Sequence, residues 1–134
     1  MKILMDTDAL FGLFIPSDAH HNAATKFLEA CKNRGDDLFV LNIVIQEAAT
    51  VISYKEGHQK SLKFVAQADQ LGATQIRLDE GLEEQAWKIF MSQTKKGTSF
   101  VDCANLAAAR HYHLDKIFSF DRFYPKELFF PVVQ

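Results

Sequence analysis

Short apolar runs alternate with longer helical patterns along the chain, and this alternation is the feature that most limits its possible folds. Four runs have the length and composition of buried strands. They are Lys2–Met5, Leu38–Leu41, Gln75–Leu78 and Lys116–Phe120, with a fifth candidate at Phe129–Val133. Strands separated by helical segments of this length are expected to pair in parallel, because a parallel pair needs a long crossover connection.

The segments between these runs show the periodicity of amphipathic helices. One begins at Ser17-Asp18, places an apolar face at Ala23, Phe27 and Cys31, and ends at Gly35. Other helices are predicted from Ile43 to about Glu56, from His58 to Leu71, from Leu82 to about Gln93 and from Phe100 to about Tyr112. The pattern predicts an α/β fold, a three-layer sandwich with a mostly parallel sheet of four or five strands.

Composition narrows the class of protein further. A chain of 134 residues without repeats or linkers fits one domain, residues 1–134. With 48% hydrophobic and 24% charged residues, it is neither a disordered nor a fibrous chain.

No apolar run reaches the roughly 20 residues of a membrane span and no signal peptide is evident, so we expect a cytoplasmic protein. Cys31 and Cys103 are too few for a disulfide framework, which predicts reduced core thiols. The net charge of −2 does not by itself indicate nucleic-acid binding.

Acidic residues follow the predicted strands. Asp6 and Asp8 come after the first strand, Glu47 lies one turn into the helix after the second, and Asp121 follows Phe120. Asp102 begins the helix before that last strand. Because an open parallel sheet binds its ligand beyond the carboxyl ends of its strands, these acids are candidates for one site.

Each acid also has a structural explanation. Ser99 and Asp102 fit a capping box. Asp6 or Asp8 fits the N-cap of a helix through Leu10 and Phe14, and Asp121 fits an ordinary turn. Glu47 fits a solvated helix face less well, since its neighbours are apolar and an unpaired buried carboxylate is costly.

A cluster of these acids requires a cation. Two carboxylates ~4 Å apart repel each other by about 4 kcal/mol at an effective dielectric constant of about 20. Oxygen ligands without clustered histidine or cysteine favour a hard ion, Mg²⁺ or Mn²⁺, over zinc. Such an ion polarises phosphate oxygens and acidifies water, so the pattern points to metal-assisted phosphodiester hydrolysis.

Four blocks of sequence carry a resemblance to a known family. They read ILMDTDAL at 3–10, VIQE at 44–47, SFVDCA at 99–104 and SFDR at 119–122. In this order and spacing the chain resembles the PIN-domain nucleases, and most of all their VapC-type toxin branch, from residue 3 to about 124. The resemblance implies a PIN-like fold. Ser119 departs from it, because threonine is commoner there, and Phe123-Tyr124 follow where many relatives have another acid.

The resemblance implies a Mg²⁺-dependent endoribonuclease, with Mn²⁺ as an alternative ion, that leaves 5′-phosphate and 3′-hydroxyl ends. It implies that catalysis and metal binding depend on Asp6, Glu47, Asp102 and Asp121. Thr7, Thr98 and Ser99 match hydroxyl residues that flank the family's acids and orient them. The implied partners are an RNA substrate, a cognate antitoxin protein and a second copy of the chain in a homodimer.

Two alternatives stay open at this stage. Asp6-Thr7-Asp8 also resembles the nucleophile motif of haloacid-dehalogenase-type phosphatases, although a late acidic pair is missing. A phospho-receiver module has a similar length and fold class, but Asp79 is a poor match for its phosphoacceptor.

Among other residues, His20-His21 are read as surface-helix residues because neighbours on a helix point about 100° apart. Arg122 is the preferred basic residue for substrate contact, since it adjoins Asp121.

Overall fold

The computed structural model of the protein describes residues 1–130, and one parallel sheet lies at its centre. Its strands are β1 Lys2–Met5, β2 Asp37–Leu41, β3 Thr74–Ile76 and β4 Lys116–Phe118. Their spatial order is β3-β2-β1-β4, and all neighbours run parallel. Leu4 of the central strand pairs with Phe39 and with Ile117. The residues Ile3, Leu4 and Met5 are completely buried, as expected for a strand covered on both faces.

Six α-helices in residues 1–130 cover the sheet. They are α1 Thr7–Phe14, α2 His21–Arg34, α3 Asn42–Glu56, α4 His58–Gln67, α5 Glu80–Ser92 and α6 Phe100–His111, and a 3-10 helix at Ala68–Leu71 follows α4. Right-handed crossovers place α1 to α4 on one face and α5 and α6 on the other. The contacts of α1 with α3 and of α5 with α6 agree with this arrangement. The predicted three-layer α/β sandwich is confirmed.

The strand order creates a switch point between β1 and β4. The chain proceeds outward from β1 through β2 to β3, and then returns across the sheet to place β4 on the other side of β1. In open α/β sheets the crevice beyond the carboxyl ends of such strands is the usual ligand site. Asp6 follows β1 there, and Ser119 follows β4.

Element ends differ from the predicted ones where side chains take over backbone hydrogen bonds. The strand predicted to reach Phe120 ends at Phe118, because the Phe120 amide donates to Asp8 Oδ2 at 3.0 Å. The third strand ends at Ile76 rather than Leu78, because the Leu78 amide donates to Asn42 Oδ1 at 2.7 Å. The helix predicted from Ser17-Asp18 begins at His21, after a turn in which Asp18 Oδ2 accepts the His20 amide.

The C-terminal strand prediction is only partly covered by the structure. Phe129 forms a single parallel bridge with Ile117, and residues 131–133 of the predicted strand lie outside the described residues. Cys31 and Cys103 are free and buried, as predicted. Across residues 1–130, none of the helices has the length and apolar character needed to cross a membrane.

Candidate active site

Asp6 lies at the centre of the site. It is only 3% exposed, and it forms the N-cap of α1, where its Oδ1 accepts the Thr7 amide at 2.7 Å. Three side chains also donate to its carboxylate: Asn105 Nδ2 to Oδ1 at 3.0 Å, and Ser119 Oγ and Tyr124 OH to Oδ2 at 2.9 and 2.8 Å. Asp6 is therefore a helix cap and a fixed, inward-facing carboxylate at the same time.

Ser119 links the end of β4 to the Asp6 carboxylate and to the Asp121 backbone amide. Its Oγ donates to Asp6 and accepts the Asp121 amide at 3.0 Å. Asp121 itself is exposed, and its Oδ1 accepts the Phe123 amide at 3.1 Å, which is the turn that the sequence suggested. The serine at the position where relatives more often have threonine thus fixes Asp6 and the start of the Asp121 turn.

The start of α6 brings Asp102 to the same place. Ser99 is the N-cap, and its Oγ accepts the Asp102 amide at 3.4 Å, which is the serine half of the predicted capping box. The Asp102 carboxylate contacts the Tyr124 hydroxyl, which lies 3.1 Å from Oδ1. One turn further along α6, Asn105 is completely buried and donates to both Asp6 and Tyr124.

Glu47 approaches from α3. The residue is half-buried, and burial raises the pKa of its carboxyl, while the nearby Thr7 hydroxyl opposes that rise. The Thr7 Oγ1 is itself buried and has no hydrogen-bond partner of good geometry within the described residues. The Thr7 hydroxyl therefore lies beside Glu47 but is not held by a hydrogen bond of good geometry among the described residues.

One open cavity of about 330 Å³ collects these groups, and we call it the acid cavity. All four predicted acids line it: Asp6, Glu47, Asp102 and Asp121. Two further carboxylates, Asp8 and Asp18, also line it, with Lys55 as the lysine on its wall. Lys55 Nζ lies 5.4 Å from the centre of the Phe11 ring. The cavity is therefore strongly negative despite the nearly balanced charge of the whole chain.

Burial, together with neighbouring carboxylates, raises the pKa values of Asp6, Asp8 and Asp102. Burial, with the charge of Asp6 next, raises the pKa of Asp102 to about 8. Burial and Asp6 likewise raise the pKa of Asp8 to about 7. Burial is also the main cause that raises the pKa of Asp6, against the four hydrogen bonds that favour its charged form. Without a compensating cation the cavity therefore favours protonated carboxyls.

The residues present fit a hard divalent cation. Within residues 1–130, no three acidic, histidine or cysteine side chains already surround a common ion position. Mg²⁺ does not need such a cage, because it usually keeps several waters and binds one or two carboxylates. The oxygen-only donors of the acid cavity, its excess negative charge and the unpartnered Thr7 hydroxyl match that chemistry. Asp6 and Asp102, which share the Tyr124 hydroxyl, are best placed to bind such an ion.

Several site residues were not singled out as site residues by the sequence pattern. They are Asn105 and Tyr124, which complete the hydrogen bonds of Asp6. Asp8, which the sequence analysis noted after the first strand but left out of the four predicted site acids, adds a carboxylate. Asn105 had one available signal, since it is a polar residue within an otherwise apolar stretch of α6. Tyr124 had none, because its partners are far away in sequence.

Two minor predictions are wrong. His20 is not a surface-helix residue: it precedes α2, lines the acid cavity, and stacks on Phe120 with ring centres 4.0 Å apart. His21 instead places Nδ1 2.7 Å from the Gly12 carbonyl, so the two histidines do point apart. The Thr98 hydroxyl donates to the Lys95 carbonyl at 2.7 Å rather than orienting an acid.

Comparison with known proteins identifies the family. The PIN domain model matches residues 3–126, nearly the whole chain and all four predicted acids. The chain belongs to the PIN-domain family. Nucleases of this family are in general dependent on a divalent metal ion.

Individual relatives agree with this PIN-domain assignment. The chain is 28% identical over 124 residues to a VapC ribonuclease of Archaeoglobus fulgidus, covering 90% of this chain and 78% of the relative. The crystal structure of Mycobacterium tuberculosis VapC20, a toxin that cleaves the sarcin-ricin loop, superposes with a TM-score of 0.78 at 27% identity over 89% of each chain. VapBC2 of Rickettsia felis, solved with a promoter DNA fragment, shares the fold with a TM-score of 0.65 at 11% identity, over 87% of this chain and 85% of that one.

The topology of the PIN domain also bears on the two alternatives. A phospho-receiver has β1 between β2 and β3, whereas here β1 lies between β2 and β4. The family match leaves the haloacid-dehalogenase interpretation of Asp6-Thr7-Asp8 without support. Both carboxylates of that motif are instead held by Ser119 and neighbouring groups at the switch point.

Proposed function

We propose that this PIN-domain protein is an endoribonuclease that hydrolyses RNA phosphodiester bonds with Mg²⁺, or alternatively Mn²⁺, and that it is the toxin of a toxin-antitoxin pair. The observation that carries the proposal is the acid cavity, where Asp6, Glu47, Asp102 and Asp121 meet from four separate segments. The named activities of the two more similar relatives, a VapC ribonuclease and an RNA-cleaving VapC toxin, support it.

The acids have different tasks in this proposal. Asp6 and Asp102, which both contact the Tyr124 hydroxyl, would bind the ion directly. Glu47 and Asp121 lie on the wall of the cavity and hold water around the ion. When bound, a divalent ion supplies polarisation of the scissile phosphate and acidification of water.

The protein's own residues prepare the site for that chemistry. The four hydrogen bonds to Asp6 fix the direction of its carboxylate without any ion. A divalent cation held in the cavity would favour the charged forms of Asp8 and Asp102, because opposite charge lowers the raised pKa of each carboxyl. The Asp6 carboxylate is thus preorganised, while the neighbouring Asp8 and Asp102 can change their protonation states.

The partners follow from the same proposal. The RNA strand is the substrate, a cognate antitoxin protein inhibits the enzyme, and a homodimer is its working form. The whole chain, residues 1–134, acts as a single PIN-like domain. It works in the cytoplasm, where both RNA and antitoxin are made.

The test is RNA cleavage by the purified chain and by isosteric variants. Asp6→Asn and Asp102→Asn should each reduce Mg²⁺-dependent cleavage by at least ~100-fold while the circular dichroism spectrum stays unchanged. Asp69→Asn, at an exposed position outside the acid cavity, is the matched control. Sequencing of the ends should find 5′-phosphates. Folded Asp6→Asn and Asp102→Asn proteins with full activity would refute the proposal.

A further inference from the structure

A second cavity adjoins the acid cavity. It has a volume of about 190 Å³, and Asp102 and Asp121 line both cavities, so the two are continuous. Lys95, Lys96 and Arg122 line the second cavity, which we call the basic cleft. We propose that the basic cleft binds phosphates of the RNA strand adjacent to the cleaved bond. This inference rests on the proposed function and names the path by which its substrate reaches the acids.

The three cations are available to an anion. Lys95, Lys96 and Arg122 are exposed, and none of them forms an ion pair within 4.0 Å in the part of the chain that the structure describes. They stay unpaired even though Asp102 and Asp121 line the same cleft. Other basic side chains are paired, for example Lys60 with Glu56 and Arg34 with Asp36.

The loop that carries the lysines forms a defined turn before α6. Gly97 has a φ of 82°, a conformation that favours glycine, and it reverses the chain after Lys96. The Thr98 hydroxyl then donates to the Lys95 carbonyl at 2.7 Å and closes the turn. Ser99 follows at once as the N-cap of α6, so the loop is joined directly to the helix that carries Asp102. The backbone of the two lysines is therefore connected by a short turn to the helix that carries Asp102.

The far wall of the basic cleft suits a nucleotide as well. Phe123 lines it half-buried, and its ring is braced by an edge contact with Tyr124 at 5.3 Å between centres. Lysine and arginine neutralise backbone phosphates, and an aromatic face stacks on a base of any sequence. The acid cavity alone repels a polyanion, so cations at its border are needed to draw the strand across Asp102 and Asp121.

Salt dependence of RNA binding tests this proposal without relying on cleavage. The probe is a fluorescein-labelled single-stranded RNA of mixed sequence, bound in Mg²⁺ by the Asp6→Asn protein and followed by fluorescence anisotropy over a range of NaCl concentrations. Adding Lys95→Gln and Lys96→Gln should weaken binding several-fold. It should also reduce the slope of log K against log[NaCl] by about 0.7 for each RNA phosphate that the protein no longer neutralises. Adding Arg122→Gln should reduce the slope further.

The matched control removes the same charge elsewhere. Lys60→Gln with Lys63→Gln changes two exposed lysines of α4, which line a different groove, and should leave the slope at the parent value. A slope that responds to the α4 pair but not to the Lys95 and Lys96 pair overturns the basic cleft. Steady-state cleavage by chains that keep Asp6 distinguishes a failure of the basic cleft from a failure of the proposed function. If the native chain cleaves RNA and the Lys95→Gln, Lys96→Gln variant has an unchanged KM, only the proposal for the basic cleft is wrong. If the native chain does not cleave RNA, the proposed function itself is wrong.

Discussion

The hydroxyl of Tyr124 lies 3.1 Å from Asp102 Oδ1 and on its other side touches Asp6 at 2.8 Å. A phenol has one proton to donate, and here it also accepts a hydrogen bond from Asn105. It can therefore satisfy only one of the two carboxylates at a time. A carboxylate without that donor favours a proton or a cation, which agrees with the raised pKa of Asp102.

Tyr124→Phe tests this bridge. The hydroxyl is buried, so the variant removes no substrate contact, but it leaves Asn105 without one of its acceptors and one of the two carboxylates without a donor. We expect a loss of about 1–3 kcal/mol in the free energy of unfolding. The Mg²⁺ concentration for half-maximal cleavage should rise several-fold, because the two carboxylates lose their common alignment. Tyr112→Phe, at an exposed tyrosine, is the control; equal Mg²⁺ requirements in the two variants would contradict the bridge.

The sequence predicted the main elements because each depends on local pattern. The buried strands are short apolar runs, and the helix before β2 ends at Gly35, whose φ of 74° fits a left-handed cap. The four acids were found because strand ends are local features and parallel strands bring their carboxyl ends together. The structural roles predicted for Asp6, as an N-cap, and for Asp121, as a turn residue, were also correct, and in Asp6 the capping and site roles coexist.

What could not be predicted depends on contacts between distant segments. Asn105 and Asp6 are 99 residues apart, and Tyr124 and Asp6 are 118 apart. No periodicity links such pairs, since their meeting depends on the order of strands in the sheet. The end of β4 was predicted two residues too late for the same reason. The Phe120 amide donates to the side chain of Asp8, which is distant in sequence, instead of to a neighbouring strand. His20 lines the cavity because it lies in a turn before α2, whereas the helical pattern placed it within the helix.

Asp6→Asn should stabilise the metal-free protein. Asparagine keeps the shape, and its Oδ1 can still accept from Thr7 and Asn105, while its Nδ2 donates to Ser119 and Tyr124 once those hydroxyls rotate. No donor is left unpaired, and the repulsion with Asp8 and Asp102 is relieved. In EDTA we expect Tm to rise by a few degrees. Mg²⁺ should raise the Tm of the native chain but not that of the variant. A variant less stable than the native chain in EDTA would argue against a repulsive cluster.

The stability of the metal-free protein should fall as the pH rises from about 5 to 8. The folded-state pKa values of Asp8 and Asp102, about 7 and about 8, exceed the ordinary value of 3.8, so the folded chain binds more protons than the unfolded chain in this range. Both side chains are partly solvated, which limits the effect to a few degrees of Tm. Thermal unfolding in EDTA at several pH values measures it. Saturating Mg²⁺ should reduce the difference, because the ion takes the place of the protons. A metal-free protein that is more stable at pH 8 than at pH 5 would contradict this prediction, because its folded state would then bind fewer protons than its unfolded state.

Ser119 offers a conservative pair of variants. Its hydroxyl donates to buried Asp6 and accepts the Asp121 amide, so Ser119→Ala leaves both groups without that partner. We expect a loss of about 1–3 kcal/mol in unfolding free energy, as for other buried partners removed. Cleavage should fall by ~10-fold or more, because the Asp6 carboxylate loses one of its four donors. Ser119→Thr keeps the hydroxyl and introduces the residue that relatives more often have there, so it should retain activity and Mg²⁺ affinity. Unfolding in urea and cleavage at varied Mg²⁺ measure both variants; an active Ser119→Ala protein beside an inactive Ser119→Thr protein would show that side-chain volume, not the hydroxyl, decides this position.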